Sequence, residues 1–196
     1  MAISTLLFDF DGVIRHFTPN LSNIVENTYN LSNGSILEAA FRPGVYPKVA
    51  RGEITKKSWI ETTIEIVGHR ESVETVLNDK GSIDASMINL LDRYRKSGMR
   101  IALLTNSTCT IDEELKYFNL HKKFDSIFMT NKIGFAKPDK EIYEHVCNDL
   151  QVTPEEVFFT DDLEENVIGA RSFGIFSEVF HNKPNLESNL ERLLQK

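Results

Sequence analysis

Two aspartates one residue apart, Asp9 and Asp11, end the apolar run of "STLLFDFDGVI", and a glycine follows them at once. In an extended strand, positions i and i+2 point to the same face. Carboxylates so placed repel each other, and each loses solvation if it is buried. Three further segments also set polar groups behind apolar residues: "IALLTNS" with Thr105 and Asn106, "GFAKPD" with Lys137, and "VFFTDDLEEN" with Asp161 and Asp162. Carboxylates gathered around one ammonium are groups that hold a hard divalent cation, attack an electrophile or move a proton.

These segments can act together only if the fold brings them to one edge. Apolar runs of strand length occur at Thr5–Phe8, 100–104, Ser126–Met129, 157–159 and 175–179. They are unbroken rather than alternating, as expected of strands covered on both faces. Helical patterns separate them at 84–97, 110–118, 139–150 and 163–173. Leu90, Leu91 and Tyr94 mark the apolar side of the first, and Val167, Ile168 and Ala170 that of the last, with Gly98 and Gly174 as stops. Strands alternating with helices predict an α/β fold, a Rossmann-like parallel sheet flanked by helices. All strand C-termini of such a sheet share one edge, where ligands bind.

Residues 17–82 break the rhythm. They carry almost no strand signal, and helical stretches at 21–29, 35–41, 55–67 and 71–78 are separated by "RPGVYP" and "VGHR", with "RGE" before the third. The division expected is a core of residues 1–16 and 83–196 with an inserted helical cap domain of residues 17–82. The cap leaves and rejoins the core near the C-terminal edge of the first strand, where it can cover a site.

The four motifs, in this order, resemble those of the haloacid dehalogenase superfamily, which consists mostly of phosphatases. "KPDKEIY" and "FFTDDLEENVIGA" are similar to the subgroup holding small sugar-phosphate phosphatases and the N-terminal domain of soluble epoxide hydrolase. The resemblance covers essentially the whole chain. It implies a Mg²⁺-dependent phosphomonoester hydrolase. Asp9 would be nucleophile and metal ligand and would form an aspartyl phosphate. Asp11 would protonate the leaving group, then take a proton from water, while its backbone carbonyl binds the metal. Thr105 and the Asn106 N–H would bind phosphate, and Lys137 would set its charge between Asp9 and the phosphoryl group. Asp162 aligns with the metal-binding acid, and Asp161 would orient the site from behind it. The electrostatic reason stands apart from the family: a phosphate monoester carries about two negative charges, which a cation and an ammonium must offset before a carboxylate can attack.

Each motif also has a plain structural reading. Asp9 and Asp11 read alone as a turn or cap pair, 105–107 as a helix cap, Lys137 as a solvated lysine and Asp161–Asp162 as an N-cap pair. Four of them in order, each behind an apolar run, favour the chemical reading. Glu164, Glu165 and Asn166 read as structural. Pro138 suits a first helical position. Arg15, His16, Arg42, Trp59 and His69 are candidate substrate contacts, each with packing or surface exposure as the competing role.

The remaining features bound the class. The 196 residues carry a formal net charge of −7, and the basic residues make no long run, which disfavours nucleic acid or an anionic membrane as partner. Two cysteines, Cys109 and Cys147, are too few for a disulfide framework, and no signal peptide or membrane span is apparent, so a cytoplasmic protein, monomeric or a small homo-oligomer, is expected. A dehalogenase is the first alternative, but that class lacks an aspartate in the place of Asp11. A phosphosugar mutase or a regulatory relative without catalysis are the others. A cap over the site favours a small phosphorylated substrate over a phosphoprotein.

Overall fold

The first four apolar runs are unbroken because each of those strands feeds two cores at once, whereas in the fifth, 175–179, only Ile175 is buried and Phe176 is 49% exposed. Residues 2–108 and 111–194 are described by a computed structural model, so that Cys109 and Thr110, expected to open a helix, lie outside the described residues. The chain runs through β1 (Thr5–Phe8), β2 (Arg15–His16), α1 (Leu21–Thr28), α2 (Ser35–Ala40), α3 (Tyr46–Ala50), α4 (Lys56–Val67) and α5 (Arg70–Leu77). It returns through β3 (Ser82–Ile83), α6 (Ala85–Lys96), β4 (Arg100–Thr105), α7 (Ile111–Tyr117), β5 (Ser126–Met129) and α8 (Thr130–Ile133). It ends with α9 (Lys140–Leu150), β6 (Val157–Asp161), α10 (Glu164–Phe173), β7 (Phe176–Val179) and α11 (Lys183–Leu194).

Five strands form one parallel sheet in the order β5-β4-β1-β6-β7. Leu6, Phe8, Ile101, Leu103 and Phe158 point into the core made with α6, α7 and α11, while Leu7, Ala102, Leu104, Val157 and Phe159 point into the core made with α9 and α10. The alternation of period two is therefore present, but both faces are apolar. Cys147 is buried in the second core as a free thiol. Ile168, expected there too, is instead 52% exposed, because α10 turns Val167 and Ala170 inward. Register sets the active edge: Phe8 lies level with Leu103 and Thr160, so the next residue of each strand, Asp9, Leu104 and Asp161, emerges at one height.

The helices between β1 and α6 pack on small clusters of their own, one around Val25, Ile36 and Val73 and another around Ala40, Val49 and Trp59. The buried carboxylate of Glu26 staples α1 to α2 by accepting the N–H groups of Gly34 and Ile36 at 2.7 and 2.8 Å. The chain enters and leaves this helical segment through an antiparallel ribbon, β2 beside β3, with Arg15 opposite Ile83. Gly81 sits there at φ 62°, where a Cβ would lie 2.4 Å from the His16 carbonyl oxygen. "RPGVYP", expected as a separator, runs into the start of α3: a proline in the first turn of a helix loses no hydrogen bond, so Pro47 helps to start this helix rather than breaking it. Helix α11 was not apparent in the sequence pattern, and it closes the first core with Leu186 and Leu190. Among the described residues no helix is long and apolar enough to cross a membrane.

Helix α6, which follows the ribbon, is capped by Asp84, whose carboxylate accepts the N–H groups of Ser86 and Met87 at 2.7 and 3.3 Å. Partial burial raises its proton affinity, but those donors outweigh burial and hold the carboxyl below its ordinary value of 3.8. A group with a depressed folded-state pKa stabilises above its unfolded value and stops doing so as pH falls through the folded one. Asp84→Ala is therefore expected to lose about 1 kcal/mol of unfolding free energy at neutral pH. Urea titrations should show that deficit shrinking below about pH 4; a deficit that is absent at neutral pH, or that grows in acid, contradicts this capping role.

Candidate active site

Three adjacent strands deliver one group each to a single ammonium. The Lys137 Nζ donates to Asp9 Oδ1 at 2.6 Å, to Asp161 Oδ2 at 2.6 Å and to the Leu104 carbonyl oxygen at 3.1 Å. An ammonium has three protons, and these three bonds use them all. Lys137 and Asp161 are fully buried and Asp9 nearly so. Burial works against the charge on Lys137, yet Asp9 and Asp161 outweigh it and push the lysine above its ordinary value. Burial likewise pushes the Asp9 carboxyl well up, Lys137 opposes this, and Asp161 and Asp11 add to it.

Lys137 is itself fixed by Asn106. The Asn106 side chain accepts the Lys137 N–H at 2.9 Å and donates to the Lys137 carbonyl at 3.0 Å. Sequence reasoning assigned Asn106 only its backbone N–H, toward phosphate; the amide side chain is what the fold uses to hold the lysine. Pro138 is not the first residue of the next helix. Asp139 is the N-cap of α9, and the Lys137–Pro138 peptide is cis. Thr105, the last residue of β4, is buried and lines the cavity beside Asp9.

Asp161 has a donor on each oxygen. Besides Lys137, the Leu163 N–H reaches Oδ1 at 2.9 Å and the Asn166 amide reaches both oxygens at 3.0 Å. Asn166, read from the sequence as structural, thus orients a central carboxylate, with its own carbonyl accepting from Tyr143 at 2.7 Å. Asp162 is exposed, and partial burial with Asp161 nearby raises its carboxyl. Gly12, at φ 83°, is pressed against it: a Cβ there would lie 2.1 Å from Asp162 Oδ2. Among the described residues, Asp9, Asp161 and Asp162 each offer a carboxylate oxygen, all within 4.8 Å of one another. Three carboxylates at that spacing fit a hard divalent cation. Because both Asp161 oxygens already accept from Lys137, Leu163 and Asn166, Asp9 and Asp162 are the two suited to direct ligation.

Asp11 points elsewhere. Its two oxygens accept from Arg15 Nε at 2.5 Å and Nη2 at 3.0 Å. Arg15, buried between Asp11 and Glu114 of α7, donates to Glu114 at 2.5 Å, with the Phe10 and Phe17 rings at 4.7 and 4.8 Å from its guanidinium. Arg15 is therefore committed to holding Asp11, not available to a leaving group. His16 and Trp59 line the same cavity, Trp59 with its indole N–H given to the Ala40 carbonyl at 2.8 Å. Arg42 is exposed and outside the cavity lining. His69, outside it too, caps α5 by accepting the Ser72 N–H and lies against Tyr29. Glu114 was missed, since nothing in "TIDEELKY" distinguishes it from the neighbouring acids.

The site opens into a cavity of about 610 Å³ between the sheet edge and the helical segment. Three polar links cross it: the Tyr46 hydroxyl to the Asn106 carbonyl at 3.1 Å, Arg51 to Asp139 at 2.5 Å, and Lys56 to Glu114 at 3.8 Å.

A family model described as haloacid dehalogenase-like hydrolase matches residues 3–174. Similar proteins include the sesquiterpene phosphatase astK of Aspergillus oryzae, 28% identical over 86% of this chain and 85% of that one. Phosphatase MT3486 of Mycobacterium tuberculosis is 31% identical over 89% of this chain and 86% of that one. Rat bifunctional epoxide hydrolase 2 is 22% identical over 98% of this chain, which spans only 39% of that protein's length. A HAD-like family hydrolase from Porphyromonas gingivalis has the same fold, with a TM-score of 0.81, 21% identity and complete coverage of both chains. So does HAD family enzyme bt-2542 from Bacteroides thetaiotaomicron, as a mutant in complex with magnesium and inorganic phosphate, with a TM-score of 0.77, 22% identity, and coverage of 94% of this chain and 99% of that one.

Removing the ammonium would leave Asp9 and Asp161 buried together without a counter-charge. Lys137→Met is expected to lower the unfolding free energy by about 3 kcal/mol or more, read by urea denaturation at neutral pH with a chelator present. A loss below about 1 kcal/mol would mean that the two carboxylates do not depend on Lys137.

Proposed function

The chain belongs to the haloacid dehalogenase-like hydrolases, and from that membership we propose that it is a Mg²⁺-dependent phosphomonoesterase that works through an aspartyl phosphate on Asp9. The observation that carries the proposal is the Lys137 ammonium shared by Asp9 and Asp161, with Asp162 completing the carboxylate group. The relatives printed as phosphatases support the reaction class. Magnesium beside phosphate in bt-2542 supports the cofactor. When bound, Mg²⁺ would offset the charge of the phosphate and of Asp9 and Asp162.

The residues divide the reaction as follows. An Asp9 oxygen forms the bond to phosphorus as the bond to the leaving alkoxide breaks, while Lys137 holds the other oxygen and fixes the angle of approach. Asp11 gives its proton to the alkoxide; in the second half it takes one from the water that attacks the phosphoryl group, returning Asp9 as a carboxylate. For that exchange Asp11 must release one of the two Arg15 N–H groups that its oxygens accept in this structure. Thr105 and the Asn106 N–H would bind phosphoryl oxygens. Lys137 contributes to the phosphoryl group through its charge, since its three donors are engaged by the protein. We propose further that residues 17–82 act as a cap over a core of residues 1–16 and 83–196; the β2–β3 ribbon and the three links across the cavity support that division. Asp11 and the carboxylate group favour phosphate ester hydrolysis over dehalogenation.

Wild-type protein should hydrolyse p-nitrophenyl phosphate with Mg²⁺ and lose that activity in EDTA. Asp9→Asn should lower kcat by about a thousandfold or more, since it removes the nucleophile. Activity that survives both in EDTA and in Asp9→Asn rules out this mechanism.

A further inference from the structure

The helical segment supplies ten residues of the cavity wall, and seven of them are apolar or aromatic: Phe17, Phe41, Tyr46, Pro47, Ala50, Trp59 and Leu77. The three charged ones are already bound to protein. Arg51 pairs with Asp139, Lys56 with Glu114, and Asp79 accepts the N–H groups of Thr18 and Gly81 at 2.7 and 3.0 Å. On the sheet side, Arg15 is taken by Asp11 and Glu114, and Lys137 by Asp9 and Asp161. Among the described lining residues, then, every lysine and arginine has a carboxylate partner. Six carboxylates line the cavity against those four cations.

That wall distinguishes between leaving groups. A second anionic group on the substrate, such as another phosphate or a carboxylate, would find every lining lysine and arginine already paired, and any cation it engaged would have to leave a protein partner. A polyhydroxylated group would surrender hydration to aromatic faces that offer it few partners. An apolar group loses nothing of that kind, and it covers surface the protein otherwise leaves in water. Phe17 is 47% and Phe41 50% exposed although both are large apolar residues. The Phe41 ring packs on Tyr46 at 4.7 Å and on Trp59 at 5.9 Å, so one face of an aromatic cluster is already built. The Tyr46 hydroxyl, bonded to the Asn106 carbonyl, joins that cluster to the segment that carries Thr105.

We infer that the substrate is the phosphate monoester of an apolar alcohol, whose hydrocarbon or aromatic body lies against Phe17, Phe41 and the Tyr46–Trp59 pair and carries no second anionic group. The inference rests on the phosphatase reading and names the substrate class of that same site.

The test compares n-hexyl phosphate with glycerol 3-phosphate and phosphoglycolate on the wild-type enzyme with Mg²⁺. The first two are esters of primary alcohols, so their preference reports the pocket rather than leaving-group reactivity. We expect kcat/KM for n-hexyl phosphate to exceed that for glycerol 3-phosphate by about tenfold or more, and that for phosphoglycolate by more still. Phe41→Ala should reduce the hexyl-to-glycerol ratio by about tenfold. Equal kcat/KM values, or a preference for glycerol 3-phosphate or phosphoglycolate, overturn the inference and leave the phosphatase reading intact. Hydrolysis of none of the three, nor of p-nitrophenyl phosphate, overturns both.

Discussion

The site depends on one buried ammonium. Two carboxylates, Asp9 and Asp161, are held inside the protein at the ends of neighbouring strands, where both are stripped of water and their charges repel each other. Lys137 makes the arrangement possible by donating one hydrogen bond to each and a third to the Leu104 carbonyl. The lysine has no strand of its own to fix it. Its place comes from the reciprocal pair of hydrogen bonds with the Asn106 side chain, at the end of β4. Three strands, one loop and one amide thus share a single charge, and a change in any of them reaches the others.

The sheet supplies the precision that this charge needs. Parallel register brings Asp9, Leu104 and Asp161 out at one level, and two apolar cores hold the strands from either side. The chemistry then divides by position. Asp161 is saturated with donors; Asp9 and Asp162 keep oxygen atoms that, in the proposed reaction, take the cation and the phosphoryl group; Asp11, two residues beyond Asp9, turns to Arg15. The two aspartates of the DxD motif therefore occupy unlike surroundings, as residues with different tasks should.

The charged residues that the fold gathers at the sheet edge were legible from the sequence. In the proposed reaction a carboxylate pair, a lysine and a second acidic pair have side-chain types that the chemistry dictates, and they stand out behind their strands. Residues that act by holding those groups were not legible. Asn106 looked like a helix cap or a phosphate contact, Asn166 like a structural residue, and Arg15 like a substrate contact or a packing residue. Their roles come from partners 31, 5 and 4 residues away, whose directions only the folded backbone decides. Glu114 depends on where α7 docks, 99 residues from Arg15. The same limit applied to secondary structure: buried strands were readable, whereas α3 was hidden by prolines and the two-residue strands β2 and β3 are too short to leave a pattern.

The central claim is that Asp9 is the nucleophile, and the most direct measurement is to catch it carrying phosphate. Acid quenching during turnover of a ³²P-labelled phosphate monoester, followed by proteolysis and mass spectrometry, should find label on a single peptide, at Asp9. Loss of that label in Asp9→Asn, with the protein still folded, completes the result the account predicts. Turnover at full rate with no labelled peptide, or with label on another residue, would contradict it.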